Sequence, residues 1–198
     1  SVTITQTANQ TIKVTTNDGV EHTSTFTANY GTTYTVKVTP ATGYNAGTPS
    51  VSSGTITGNL TITATAATIK TFTLSIGATT NQTYVATIGG VAKTATSSAT
   101  NYTVDYGTAY SIVYTANAAT AAYTYTASAA VSGTVTADVS VPAKSATSTL
   151  RYYNLTVPAT TNQTYVLKLA VNSTYGGTLP NYTSTASSAA QNNLSCPY

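Results

Sequence analysis

Any chemistry in this chain must come from few side chains. The carboxylates are Asp18, Glu21, Asp105 and Asp138, and His22 is the only histidine. A glycosidase needs two carboxylates facing one cleft. Asp18 falls in an Asn-Asp-Gly turn, Asp105 precedes a Tyr-Gly-Thr run, and Asp138 follows a Ser-Gly-Thr run. Asn29 and Asn59 stand near the matching places earlier in the chain, so turn and strand-edge roles are expected for Asp105 and Asp138. Zinc needs several His or Cys ligands, and His22 has no such neighbour in sequence. A dense calcium site needs more acids than this chain holds. Serine is plentiful, yet there is no Gly-x-Ser-x-Gly elbow, P-loop or dinucleotide fingerprint. Cys196 is the only cysteine. That excludes an intramolecular disulfide and leaves an inert thiol or a bridge between chains. The expectation is a protein that is not an enzyme, with no catalytic residue, metal or cofactor.

Binding is better served than catalysis. The chain has 16 Tyr, and tyrosine rings offer large contact area at small entropic cost. Tyr30, Tyr34, Tyr106 and Tyr110 recur inside repeated phrases, which points to core packing and cross-strand pairing. Tyr123, Tyr125, Tyr152 and Tyr153 are less constrained and are the candidate contact aromatics, with surface glycans as one ligand class. Asn-x-Ser/Thr sequons occur at Asn9, Asn59, Asn81, Asn101, Asn154, Asn162, Asn172, Asn181 and Asn193. In an exported protein these are possible N-glycan acceptors.

These residues sit on a repeating frame. TNQTYV occurs at Thr80–Val85 and again at Thr161–Val166, with a looser TANQTI at Thr7–Ile12. YGTTYTV at Tyr30–Val36 is echoed by YGTAYSI at Tyr106–Ile112, and SGTITGNLTITA at Ser53–Ala64 by SGTVTADVSVPA at Ser132–Ala143. The order is the same each time, so two homologous units are expected at 1–70 and 71–150. A partial third unit and tail occupy 151–198. Segments such as YTVKVT and TITATAAT alternate branched or aromatic residues with small polar ones, the period of a half-buried strand. Asn17-Asp18-Gly19 and Gly89-Gly90 are hairpin turns between such segments. No stretch sustains a 3.6-residue period. The fold class expected is all-β, as tandem Ig-like β-sandwich modules: two full units plus a C-terminal half unit.

The order of anchors resembles the divergent internalin-type B-repeat, a small β module found in tandem in bacterial surface proteins and phage structural proteins. The carrying residues are Tyr30-Gly31-Thr32, Gly43-Tyr44, Ser53-Gly54-Thr55 and the closing Ile62–Ala67, with Tyr106-Gly107-Thr108 and Ser132-Gly133-Thr134 in the second unit. The second unit departs at Ala122-Tyr123, where the first has Gly43-Tyr44. The likeness covers roughly residues 3–147. It implies a surface-displayed, non-catalytic repeat and transfers no catalytic residue.

Half a sandwich cannot cover its own apolar face, so Leu155, Val157, Val166 and Leu169 need partners. Three completions are open: extension of the second unit's sheet, new packing within the chain, or a strand from a neighbouring subunit. SVTITQT is the candidate donor, with Lys168 and Pro158 as sparse edge guards. The segment after Gly176-Gly177 lacks a second-half pattern and reads as a tail.

Composition narrows the setting. Charged residues make up 6% of the chain, against about 25% in an average domain. The net charge of +3 comes from scattered cations, and no basic cluster suits nucleic acid. No stretch approaches the ~18 apolar residues of a membrane span. The start SVTITQ shows no signal peptide, which fits either prior signal cleavage or loss of an initiator Met. A hydroxyl-coated surface does not titrate and suits an extracellular location, on a virion or a cell-surface appendage. The function expected is a structural subunit of a fibre, appendage or virion decoration that assembles with itself, as a homo-oligomer or filament. The alternative is an adhesin or carbohydrate-binding module.

Overall fold

The computed structural model describes residues 1–166 and 190–197, with no side-chain description for 191–197. All regular structure among these residues is β. The first unit contains β1 (Val2–Ile4), β2 (Gln10–Thr16), β3 (Glu21–His22), β4 (Thr33–Pro40), β5 (Tyr44–Asn45), β6 (Ser53–Thr55), β7 (Leu60–Ile62) and β8 (Thr68–Ile69). The second contains β9 (Thr71–Ile76), β10 (Thr79–Thr80), β11 (Gln82–Ile88), β12 (Val91–Ala92), β13 (Thr100–Asp105), β14 (Ala109–Ala116), β15 (Tyr123–Thr126), β16 (Val131–Thr134), β17 (Val139–Val141), β18 (Lys144–Ser145) and β19 (Thr147–Leu150). Two strands follow, β20 (Tyr152–Val157) and β21 (Gln191–Pro197).

The two units have the same topology. Each has a four-stranded antiparallel sheet, ordered β3-β2-β4-β6 in the first and β12-β11-β14-β16 in the second. Facing it is a smaller sheet in which the unit's first strand runs parallel to a late one. Val2 pairs with Leu60 as Leu74 pairs with Val139. The other edge of that first strand is antiparallel, to Phe26 in the first unit and to β13 in the second.

Alternation explains why these layers stack. In β2, Gln10, Ile12, Val14 and Thr16 are buried while the residues between face outward. The same register in β11 buries Gln82, Tyr84 and Ala86. One core joins Val2, Ile4 and Ile62 of the small sheet to Ile12, Val14 and Tyr34 of the large one. The other joins Leu74, Ile76, Val104 and Val141 to Tyr84, Ala86, Ile112 and Tyr114. Each unit is thus a β-sandwich with its own core.

The repeated anchors have local causes. Tyr34 lies opposite Gly54 and Tyr110 opposite Gly133. A Cβ on either glycine would come within 3 Å of the tyrosine hydroxyl. The YGTxY and SGT phrases therefore recur because the ring of one lies across the bare backbone of the other. Among the described residues Asn9, Asn81 and Asn162 are the non-glycine residues with positive φ, at 61°, 58° and 57°. Asn tolerates this left-handed region better than most side chains. Gly89 and Gly90 are both left-handed, which closes a two-residue hairpin with Ile88 opposite Val91.

The third unit begins as the others do. β20 pairs antiparallel with β21, as β9 pairs with β13. The tail expected after Gly177 therefore contributes a strand, and completion is within the chain on that edge. SVTITQT is not a loose end. Val2 is fully buried and Ile4 is 7% exposed, held between Phe26 and β7. Lys168, Leu169, Asn172, Gly176, Gly177 and Asn181 lie outside the described residues, as do the side chains of Asn193 and Cys196.

Candidate functional site

The sequence-derived carboxylates do structural work. Asp138 accepts a hydrogen bond from the Thr73 amide at 2.8 Å. Asn59, its counterpart, accepts one from the Ser1 nitrogen at 3.0 Å. The Asp105 carbonyl accepts from Thr108 at 3.2 Å, just as the Asn29 carbonyl accepts from Thr32. Glu21 pairs with Lys13 at 2.6 Å on the surface, and His22 stacks on Phe26 with ring centroids 3.7 Å apart. Asp18 takes the Thr16 hydroxyl at 2.6 Å and the Val20 amide at 3.1 Å. Those two bonds, with a smaller effect from His22, hold its carboxyl below the usual range. Among the described residues no three His, Cys, Asp or Glu side chains gather as metal ligands. Among the described residues there is no helix long and apolar enough to cross a membrane.

What the structure does bring together lies where units meet. At the first joint, β8 leaves the first sandwich by pairing with β5 of the same unit, Tyr44 opposite Ile69 and Asn45 opposite Thr68. The Lys70 amide donates to the Gly43 carbonyl at 2.8 Å. The Lys70 carbonyl accepts from the Tyr106 amide, also at 2.8 Å. One peptide segment is thereby bonded to a loop on each side. The chain then runs directly into β9. The Tyr106 ring lies against Gly43: a Cβ there would sit 2.2 Å from ring carbon Cδ1. Gly43 is buried with φ of 83°, so both its turn and this approach require glycine. Tyr106 also meets Phe72, with centroids 6.4 Å apart.

The second joint repeats the strand pairing and the amide bond back to its own module, with different side chains. β19 pairs with β15, and the Arg151 amide donates to the Ala122 carbonyl at 2.7 Å. Arg151 stands where Lys70 does, and Ala122 where Gly43 does. The Arg151 guanidinium donates to the Thr120 carbonyl at 2.9 Å, and the Tyr153 hydroxyl to Ala121 at 2.9 Å. The guanidinium also lies 5.1 Å from the Tyr153 ring centroid. All four candidate contact aromatics gather here. Tyr123 and Tyr125 lie on β15, and Tyr152 and Tyr153 open β20. Tyr152 is 63% exposed.

No family model matches the chain, and no curated protein matches it. Among solved structures, the Bacillus anthracis TIE protein is similar over 75% of this chain, at 11% identity and a TM-score of 0.43. The chain spans about a third of that protein, 33% of its length.

Two sets of joint and frame residues carried no sequence expectation. Lys70 and Arg151 were two of several scattered cations, yet they are 81 residues apart, as are Asn81 and Asn162. That shared spacing was the signal. In the sequence Gln10 and Gln82 stand out only as part of a turn phrase. Both are buried, at 8% and 1% exposure. The Gln10 side chain accepts from the Gly47 amide at 2.6 Å and donates to Thr65 at 2.7 Å. Gln82 accepts from the Ser128 amide at 2.8 Å and donates to the Ser128 hydroxyl at 2.9 Å. Each glutamine thus ties the turn to the loop that leads out of β5 or β15. One expectation needs correction: Tyr30 is not in the core but 82% exposed. It precedes the turn whose next tyrosine, Tyr34, turns inward. The sequon residues Asn9, Asn59, Asn81, Asn101, Asn154 and Asn162 are all exposed.

Proposed function

We propose that the chain is a non-enzymatic structural subunit of an extracellular fibre, appendage or virion-surface decoration, self-associating through β-strand edges. The observation that carries this is the twice-built joint. A flexible tether would let each sandwich move alone. Here the connecting strand is hydrogen-bonded to its own module and continues into the next, as in arrays whose repeats lean on their neighbours. A chain so joined transmits position along its length, which suits a spacer or fibre. The resemblance to the internalin-type B-repeat, a surface-displayed module, favours the same role, and the low charge fits an exposed setting.

Self-association is supported by β20. β1 has β7 beside it and β9 has β17, both parallel. Among the described residues β20 forms a two-stranded sheet with β21, and a ribbon of two strands can take up a further strand from a neighbour. Because β1 is already buried in the first module, SVTITQT could serve as donor only if that module opened. Electron microscopy of the full chain beside a truncation lacking residues 152–198 tests this. Filaments or rings from the full chain alone are expected; two monodisperse monomers would overturn it.

An adhesin or carbohydrate-binding role is the second reading. It is favoured by a polar groove of about 430 Å³ at the β2–β3 hairpin, lined by Asn17, Asp18, His22 and Asn29 among others. Saturable binding on a glycan array that is lost in Asp18→Asn would support it.

A further inference from the structure

Tyr30 and Tyr106 occupy the same place in their modules. Gly31 donates to Ile56 at 2.9 Å as Gly107 donates to Val135 at 2.7 Å. Ile56 donates back to Thr32 at 2.8 Å as Val135 does to Thr108 at 2.9 Å. The two turn glycines have φ of 88° and 82°. Two tyrosines on matching turns nevertheless differ in their surroundings. Tyr106 is half-buried because the preceding module covers it with Gly43 and binds its amide through Lys70. Tyr30 stands open beside a shallow cavity of about 160 Å³ lined by Ala28, Ile56, Thr57, Gly58 and Asn59. An exposed aromatic ring beside a hollow of mostly small and polar residues, Ser1 among them, is a docking feature.

We propose that the Tyr30 face receives another β-sandwich module of this repeat type, seated as the first module sits on the second. The recognition chemistry follows from the joint within the chain. The incoming module must offer a loop with a left-handed glycine at the Gly43 position, since a Cβ there would collide with the ring. It must also offer a carbonyl at the Lys70 position for the Tyr30 amide. A module bearing alanine at that loop, as the second module does at Ala122, does not fit a tyrosine in this geometry. The face is remote in sequence from β20, so this inference stands whether or not the β20 edge recruits a copy.

The test uses the full chain and a version extended at its N-terminus by residues 1–72, the added copy carrying Tyr30→Phe. Ser1 then follows Phe72, as Thr73 does in the native chain. Nitration by tetranitromethane, mapped by mass spectrometry, reads each tyrosine. In the native chain Tyr30 should react much faster than Tyr106. In the extended chain its rate should fall to that of Tyr106, and Gly43→Ala in the added copy should restore it. Protection of the added copy's Tyr34 shows that the added module has folded. With that module folded, an unchanged Tyr30 rate overturns the proposal, as does protection that survives Gly43→Ala. Protection in the native chain that grows with concentration would assign the face to a second copy and overturn the choice of occupant.

Discussion

Gln10, Gln82 and Gln163 are the same residue of one phrase in three settings. The first two are buried and each both accepts and donates hydrogen bonds through its side-chain amide, whereas Gln163 is exposed. Removing one partner of a buried bond strands the other, at about 1–3 kcal/mol. Gln82→Ala should therefore lower stability by about that much in urea unfolding, while Gln163→Ala should leave it unchanged. Tyr114 is the opposite case. Its hydroxyl is buried without a hydrogen-bond partner among the described residues, and burial, then Tyr84, pushes its ionisation up. Tyr114→Phe should raise the melting temperature, with a gain of about 1 kcal/mol. Asp18 contributes to the acid limb. Its folded pKa lies below the ordinary value of 3.8, so its stabilisation is present above that value and fades as pH falls through the folded pKa. Asp18→Asn should make stability less dependent on pH below about pH 4, read from thermal melts.

At the scale of elements, the strands were legible and their junctions were not. Period-two alternation marks β2, β4, β11 and β14 because one face of each must be apolar. The hairpin turns were visible because Asn-Asp-Gly and Gly-Gly supply left-handed backbone. The joints left little trace, because their bonds come from main-chain groups that every residue carries. Lys70 acts at its amide and carbonyl, not at its ammonium. The exposure of Tyr30 is hidden from the sequence for a related reason: a phrase shared with Tyr106 fixes the backbone turn, but what covers the ring depends on the neighbouring module. Lys70→Pro removes the donor to Gly43, a loss of about 1 kcal/mol that populates the open joint roughly fivefold more. Thermolysin cutting between Ile69 and Phe72 should accelerate accordingly, and Lys70→Ala, which keeps the amide, should cut at the native rate.

Across the whole molecule, the two cores share no residue, so their stabilities are separable quantities linked through the joint. Ile12→Ala removes a fully buried side chain from the first core, at about 2–5 kcal/mol. Hydrogen exchange should show faster opening of β2 and β4 and unchanged protection in β11 and β14. Coupled loss in both modules would mean that the joint makes them a single folding unit.

Tandem copies with near-identical phrases risk exchanging strands as they fold. The two cores differ where such an exchange would matter. Ile12 faces Val38 across the first large sheet, while Tyr84 faces Tyr114 across the second, their rings 6.3 Å apart. The next inward position compensates, Val14 in one and Ala86 in the other. If β11 took the place of β2, a phenol ring would enter a site shaped for isoleucine, and overpacking of this kind costs about 1–3 kcal/mol. Mismatched interiors thus act as a proofreading device, letting neighbours share their turns while refusing each other's strands.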